Sequence, residues 1–186
     1  MPQVDIVVVG ATGFVGQWIC RLLSEEASPL RSPGEAKQTW AVAGRPSARL
    51  EALAAKYDVP CIAIDSPATF ASVANCARVV VAVAGPYRRA FPRALCAAVA
   101  GALRPTVYVD VTGEWPFIAD VIDLHDAAAQ ACGHTFVHMC GPQEVLTTEI
   151  GALLAADHLQ STFGTRPTYL EMLSASNSKM SGGTVA

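Results

Sequence analysis

Three glycines near the start of the chain have the spacing of a diphosphate site. They lie in the run Val9-Gly10-Ala-Thr-Gly13-Phe-Val-Gly16, directly after a β-branched apolar segment. In such loops the first glycine permits a sharp turn, the second lets a pyrophosphate approach the backbone, and the third lets a helix pack closely on its strand. The helix start adds unpaired N–H groups and the positive end of the peptide dipoles. The run predicts dinucleotide binding, against the alternative of a purely structural glycine turn; the predicted contacts are Gly10, Thr12, Gly13, Phe14, Val15 and Gly16.

The residues after the second predicted strand bear on which dinucleotide binds. NAD-binding folds place a carboxylate there to hold the ribose 2′-hydroxyl, whereas this chain has Gly44, Arg45 and Ser47. A guanidinium can bind a 2′-phosphate through two hydrogen bonds, and Ser47, the predicted N-cap of a helix over Ala48–Tyr57, can add a hydroxyl group. We therefore expect NADP rather than NAD, although Arg45 could equally be a solvated loop residue. Asp65, after the third strand, could lie beside the adenine or simply favour the start of the next helix.

Two further loops carry the remaining candidate residues. Gly85-Pro86-Tyr87 is placed to run along the nicotinamide ribose, and Tyr87 could contact the cofactor or be a surface aromatic that anchors its arginine neighbours. Glu114, after Thr112 and Gly113, could orient the ribose or relay a proton, or it could favour the start of the next helix. The catalytic residues stay undefined, with Glu114 and Tyr87 as candidates. The predicted cofactor contacts in these loops are Gly85, Pro86, Tyr87, Thr112 and Gly113.

Strands and helices must alternate along the chain to position these loops. Six apolar runs have strand character and are continuous rather than alternating, which is typical of a parallel sheet covered on both faces. Ligands of such sheets bind at the carboxyl ends of the strands. We predict a Rossmann-type, doubly wound parallel α/β sheet over residues 1–160, with strands at Ile6–Val9, Thr39–Ala43, Cys61–Ile64, Val79–Ala84, Val107–Val111 and Thr135–Cys140. The first helix is expected to end near Ser28.

Beyond the sixth strand the pattern weakens. Val145–Leu159 is predicted to be helical, Ser161–Pro167 to be a linker, and Tyr169–Leu173 to be a strand. The inward positions of that helix are expected to be Val145, Leu146, Ile150, Leu153 and Leu154. We expect residues 161–186 to hold a linker and the beginning of a truncated second, α+β domain for substrate binding and dimerisation.

Composition restricts the class of protein. The chain has 186 residues, of which 52% are hydrophobic and 16% charged, which suits one full domain with a large core. A net charge of −3 gives no reason to expect nucleic acid. The N-terminus lacks a secretory pattern, and no stretch approaches the ~18 apolar residues of a membrane span. Six cysteines without a C-x-x-C motif indicate reduced core thiols and a cytoplasmic setting.

One cluster raises the question of a metal. Cys132, His134, His138 and Cys140 are close in sequence. A strand rises ~3.3 Å per residue, however, and would put His134 and Cys140 ~20 Å apart. Four tetrahedral ligands cannot be spread so far. We therefore expect no metal, and we interpret His138 as a core histidine within the sixth strand.

Six short runs occur in an order that resembles the saccharopine dehydrogenase-like oxidoreductases, which include the mycobacterial trans-acting enoyl reductases. The runs are Gly10-Ala-Thr-Gly-Phe-Val-Gly16, Ala43-Gly44-Arg45, Val83-Ala-Gly-Pro-Tyr87, Asp110-Val-Thr-Gly-Glu114, Cys140-Gly141 and Ser181-Gly-Gly-Thr184. The resemblance covers nearly the whole chain. It implies an N-terminal NAD(P)-binding domain, a C-terminal α+β domain, and hydride transfer through a nicotinamide to a lipid-like or small carbonyl or enoyl substrate.

The resemblance also implies a homodimer and peripheral association with lipid, as in animal relatives on lipid droplets. The chain departs from the family after Cys140-Gly141, where members usually carry Phe-Asp-Ser-Ile-Pro-Ser-Asp and this sequence has Pro142-Gln-Glu-Val-Leu-Thr-Thr-Glu149. The altered loop leaves an alternative open, a non-catalytic dinucleotide-binding or scaffold protein. No Tyr-x-x-x-Lys occurs, so the acid/base pair of short-chain dehydrogenases is missing.

Overall fold

Six strands and six helices alternate along the residues that the computed structural model describes, which are 3–25, 36–141 and 149–171. The strands are β1 (Val4–Val9), β2 (Trp40–Gly44), β3 (Cys61–Ala63), β4 (Ala77–Ala82), β5 (Val107–Asp110) and β6 (Thr135–Val137). The helices are α1 (Phe14–Ser24), α2 (Ala48–Tyr57), α3 (Pro67–Cys76), α4 (Ala90–Ala100), α5 (Trp115–Cys132) and α6 (Gly151–Phe163).

All six strands form one parallel sheet in the order β3-β2-β1-β4-β5-β6. The strand order reverses between β1 and β4, which is the topological switch point where ligands bind in doubly wound folds. The register brings Val9 beside Ala43 on one side and Ala82 on the other, so the strand-end loops meet at one edge. The predicted Rossmann-type α/β fold is confirmed.

Each face of the sheet is covered by its own set of helices. Val8 and Val42 pack with Cys20 of α1 and Leu50 of α2. The other face packs against α3, α4 and α5, through side chains that include Val73, Leu95 and Phe117. Both faces of β1 are therefore buried, which explains why its apolar run is continuous.

The sixth strand is shorter than predicted. It ends at Val137, because Met139 has a left-handed backbone with φ +61° and turns the chain away from the strand direction. The N–H of Cys140 then donates to the carbonyl oxygen of Asp110 at 2.8 Å. His138 therefore follows the strand instead of lying within it. The first helix is also shorter, since it ends at Ser24 rather than near Ser28.

The segment after the sheet differs most from the prediction. Helix α6 runs to Phe163, where Gly164 adopts φ +66° and ends it. It therefore includes the first part of the predicted linker and crosses residue 160, where the sequence places a domain boundary; the domain division itself stays a prediction. Residues 169–171 are not a strand, and residues 172–173 lie outside the described part.

The predicted inward face of α6 is wrong where it can be tested. Ile150, Leu153 and Leu154 are exposed, and α6 buries none of its residues. The other two predicted positions, Val145 and Leu146, lie outside the described residues. Periodicity identified the apolar face, but it carries no information on what covers that face.

The six cysteines differ in burial, and Cys140 is half-buried. Cys20, Cys76 and Cys96 are buried, and burial raises the pKa of Cys20 to about 11 and that of Cys96 to about 12. Cys61 and Cys132 are exposed, so the expectation of core thiols is wrong for these two. Cys61 lies on β3, an edge strand of the sheet. Alternate side chains of this strand are exposed to solvent.

The described ranges, residues 3–25, 36–141 and 149–171, hold neither a membrane-spanning helix nor a group of metal ligands. None of the helices there is long and apolar enough to cross a membrane. Across those same residues, no three histidine, cysteine or acidic side chains come together in a way that could hold a metal ion.

Candidate functional site

The glycine loop joins β1 to α1 at the switch point of the sheet. Gly10 has φ +87°, a left-handed conformation that disfavours side chains, and a Cβ there would lie 2.8 Å from the backbone nitrogen of Ala84. The loop after β1 thus rests directly on the segment after β4. The N–H of Gly13 donates to the carbonyl oxygen of Gly10 at 2.9 Å and closes the turn.

Gly13 and Gly16 have different surroundings. A Cβ on Gly16 would lie 2.4 Å from the carbonyl oxygen of Gly10 and 2.7 Å from Cα of Ala11, so this glycine is required for packing of α1 on β1. A Cβ on Gly13 would meet only the carbonyl oxygens of Gly10 and Val83, at 3.2 and 4.0 Å. Gly13 is nevertheless the N-cap of α1 and offers no side chain to its first turn. The N–H groups of that turn are left for an anion, so the loop fits a diphosphate.

Two long side chains hold the loop in place. Gln17 donates to the carbonyl oxygen of Thr12 at 3.1 Å, and Arg49 of α2 donates to the same oxygen at 3.2 Å. Sequence reasoning missed Arg49. The available signal was its position in the first turn of α2, four residues after Arg45.

The predicted adenosine-side residues lie at the ends of β2 and β3. Ser47 caps α2 by accepting from the N–H of Leu50 at 3.3 Å, as predicted. Arg45 is exposed, and a Cβ on Gly44 would find only the methyl groups of Leu50 at 3.9 Å. Asp65 is exposed and accepts from the Thr69 hydroxyl at 3.4 Å, at the start of α3. The cofactor contacts of Gly44, Arg45, Ser47 and Asp65 stay predictions.

Tyr87 is a core residue. Its side chain is 6% exposed, its hydroxyl donates to the carbonyl oxygen of Ala82 at 2.8 Å, and its ring centroid lies 5.5 Å from that of Phe117. Burial, and secondarily the charge of Asp110, raises the pKa of the Tyr87 phenol far above its ordinary value. The interpretation of Tyr87 as a surface aromatic is wrong, and its hydroxyl and ring are already engaged within the protein.

Glu114 links two strand-end loops. One carboxylate oxygen accepts from the N–H of Tyr87 at 2.7 Å, and the other accepts from the N–H of Arg88 at 3.0 Å. Glu114 is the N-cap of α5, but its side chain makes no capping hydrogen bond, so the suggested helix-start role would act only through the charge of the carboxylate and stays a prediction. Both oxygens are used to fix the loop after β4, which makes Glu114 a positioning group there.

A buried acid and a histidine lie beside these loops, and sequence reasoning did not connect them. Asp110, at the end of β5, is fully buried, and its Oδ2 lies 2.7 Å from Nδ1 of His138. Its Oδ1 accepts from the N–H groups of Thr112 and Met139 at 3.1 and 3.3 Å. The available signal was an acid and a histidine at the ends of two consecutive strands.

The strand-end loops of β4, β5 and β6 thus form one hydrogen-bonded series. The hydroxyl oxygen of Thr112 accepts from the N–H of Glu114 at 3.0 Å, which connects the Asp110–His138 pair to the loop held by Glu114. Thr112 itself is 1% exposed, whereas Gly85 and Gly113 are exposed. Phe14 and Val15, at the start of α1, are also exposed. The cofactor contacts assigned to these residues and to Pro86 stay predictions.

Sequence comparisons relate the chain to mycobacterial proteins. It is 33% identical to a trans-acting enoyl reductase of Mycobacterium leprae over an alignment of 196 positions, which covers 99% of this chain and 43% of that protein. It is 35% identical over 147 residues to a trans-acting enoyl reductase of Mycobacterium tuberculosis, covering 75% of this chain and 32% of that protein. The chain thus spans less than half the length of these curated relatives. No family model matches it.

Structure comparisons agree with the fold. Saccharopine dehydrogenase (L-Glu forming) from Saccharomyces cerevisiae, in its apo form, superposes with a TM-score of 0.61 at 19% identity, over 85% of this chain and 31% of that one. AtPrR2 with NADP⁺ and (+)-pinoresinol superposes with a TM-score of 0.50 at 16% identity, over 74% of this chain and 49% of that one. At these identities the likeness concerns the fold. The enoyl reductase relatives and the six sequence runs relate the chain to the saccharopine dehydrogenase-like oxidoreductases, and the structural likeness shows that it has a Rossmann-type fold.

Proposed function

We propose that this chain is the NADP-binding domain of an oxidoreductase that reduces an enoyl or carbonyl group on a lipid-like substrate. The observation that carries the proposal is the glycine loop at the switch point, where Gly13 leaves the first turn of α1 without a side-chain cap. The names of the mycobacterial relatives support enoyl reduction, and the NADP⁺ bound to AtPrR2 supports the cofactor class. When bound, NADPH supplies a hydride from its nicotinamide ring.

The test of dinucleotide binding is the variant Gly13→Ala. Gly13 has φ −74° and ψ 171°, which alanine adopts readily, and the nearest atom to the new methyl group would be the Gly10 carbonyl oxygen at 3.2 Å. We expect the fold to survive, while the methyl group blocks the approach of the diphosphate and weakens NADPH binding by about 10-fold or more. Fluorescence titration with NADPH measures the affinity, and circular dichroism checks the fold. Unchanged affinity in a folded Gly13→Ala variant would remove the diphosphate from this loop.

The preference for NADP over NAD is tested at Arg45. The residue is exposed directly after β2, two positions before the serine that caps α2. A charge-assisted contact with the 2′-phosphate is worth about 10-fold in affinity or more. We expect Arg45→Ala to weaken NADPH binding by about that factor and to leave NADH binding within about 2-fold. Arg21→Ala is the matched control, because Arg21 is also exposed but lies in the last turn of α1.

The remaining proposals concern the longer protein. We infer that it acts in the cytoplasm, associates peripherally with lipid, and forms a homodimer through a second domain whose beginning falls within residues 161–186. The 186 residues alone are expected to bind dinucleotide without turnover. A non-catalytic scaffold is the alternative. Oxidation of NADPH by the longer protein in the presence of a long-chain enoyl substrate would distinguish the two.

A further inference from the structure

The Asp110–His138 pair has the arrangement of a proton-handling site. Asp110 accepts hydrogen bonds from two backbone N–H groups on Oδ1, and its Oδ2 lies 2.7 Å from Nδ1 of His138. A carboxyl group surrounded by donors is best satisfied when ionised. The hydrogen between Asp110 and His138 is therefore on Nδ1, which leaves Nε2 as the nitrogen that can exchange a proton with a bound group.

Nε2 of His138 lacks a hydrogen-bond partner. The His138 side chain is 10% exposed, and its Nε2 is buried without a hydrogen bond to any residue in the described part. The imidazole lies among three aromatic rings, those of Tyr108, Phe117 and Phe136, at centroid distances of 5.7, 5.9 and 6.3 Å. A buried polar nitrogen without a partner is costly, and a ligand atom is one means of satisfying it.

The pair lies on the opposite side of the switch point from Arg45. A dinucleotide that crosses the carboxyl edge of this sheet has its adenosine half over β2 and β3, and its other half over β4, β5 and β6. Asp110 ends β5 and His138 directly follows β6. The nicotinamide half therefore lies on the side of the sheet that carries the pair.

We propose that Nε2 of His138 faces the nicotinamide end of the site and donates the proton that completes reduction of the substrate, with Asp110 as the positioning residue. This inference rests on the proposed function. Bound NADPH would supply one hydride, a hydrogen with its electron pair, to one carbon of the substrate double bond. The Nε2–H bond of the imidazolium breaks, and its proton bonds to the other atom of that double bond. His138 is left neutral and regains a proton from water, while the cofactor leaves as NADP⁺.

Other titratable groups surround the imidazole. On the segments packed around it they are Asp110 and Tyr108 of β5 and Cys140 beyond β6. Burial raises the pKa of Tyr108 and of Cys140 above their ordinary values, so both are neutral near pH 7. Asp110 is the carboxylate in direct contact with the ring.

The experiment is an NMR titration of His138 in the 186-residue chain. Its imidazole resonances are followed against pH in the free protein and with saturating NADPH, NADP⁺ or 2′,5′-ADP. The two dinucleotides differ in the positive charge of the oxidised ring, which disfavours a nearby imidazolium. We expect the imidazole of His138 to be less protonated at a given pH with NADP⁺ than with NADPH, and 2′,5′-ADP to leave it as it is in the free protein.

The outcomes separate the two proposals. If neither dinucleotide binds, the proposed function fails. If both bind and His138 titrates identically with NADPH and NADP⁺, the function stands and the proton-donor role is overturned. An Nε2–H tautomer in the free protein would equally contradict the orientation by Asp110.

A pair of variants checks the orientation. In Asp110→Asn the amide can donate to Nδ1, so we expect the neutral imidazole to carry its hydrogen on Nε2 instead, which ¹⁵N chemical shifts report directly. His134→Gln is the control, because His134 is also buried and its Nδ1 accepts from the Thr106 N–H at 3.2 Å, at the opposite end of β5. That variant is expected to leave the His138 tautomer unchanged. An unchanged tautomer in folded Asp110→Asn would overturn the assignment of Asp110 as the positioning residue.

Discussion

Replacing Gly16 by alanine is expected to lower the free energy of unfolding by about 3 kcal/mol, the upper part of the range for overpacking in a core. The added Cβ would lie 2.4 Å from the Gly10 carbonyl oxygen and 2.7 Å from Cα of Ala11. Both are backbone atoms of the loop that leaves β1, so neither can move aside by changing a rotamer. Helix α1 would have to shift away from the sheet. Urea unfolding followed by circular dichroism measures the loss.

The matched control is Gly101→Ala. Gly101 is the C-cap of α4 with φ −97°, and a Cβ there would lie 3.5 Å from the nearest atom, the Ala97 carbonyl oxygen. We expect this variant to remain within about 0.5 kcal/mol of the unsubstituted protein. Equal stability of the Gly16 and Gly101 variants would contradict the close packing of α1 on β1. Gly13→Ala completes the series, because it is expected to affect ligand binding rather than stability.

Replacing Glu114 by alanine is expected to cost about 2 kcal/mol of unfolding free energy. The carboxylate accepts from the N–H groups of Tyr87 and Arg88 at 2.7 and 3.0 Å, and hydrogen bonds to a charged acceptor contribute roughly 1.5–3 kcal/mol. The Tyr87 N–H is the more costly to leave unpaired, because Tyr87 is buried. Water can reach Arg88, which is exposed. Denaturant unfolding of the two proteins gives the difference.

Glu114→Ala is also expected to weaken binding of the nicotinamide half of the cofactor and not of the adenosine half. A loosened loop after β4 should weaken NADPH binding and leave 2′,5′-ADP binding unchanged, since the latter lacks the nicotinamide half. Glu114→Gln keeps one acceptor oxygen and should fall between alanine and the unsubstituted protein. Asp123→Ala, an exposed acid on α5, is the control and should change neither property. Equal weakening of NADPH and 2′,5′-ADP by Glu114→Ala would contradict the local role of this carboxylate.

The sequence by itself determined the order of strands and helices and the place of the glycine loop. Continuous apolar runs such as Val7–Val9 identify buried parallel strands. Local chemistry identifies the Ser47 cap of α2. These features depend on residues that are neighbours in the chain, and their physical signals are therefore local. The early end of β6 was not predicted, because it is set by the left-handed backbone of Met139. Methionine rarely adopts that conformation, so its presence in the sequence does not indicate a turn.

Only the tertiary structure decided how the candidate residues are used. Glu114 reaches the N–H of Tyr87 across 27 residues, and His138 reaches Asp110 across 28. These contacts exist because β4, β5 and β6 pair in parallel register and bring their carboxyl ends to one edge. Periodicity cannot supply that register, since it reports which face of an element is apolar and not which element lies beside it. For the same reason, the apolar face of α6 was predicted as buried while its leucines are exposed.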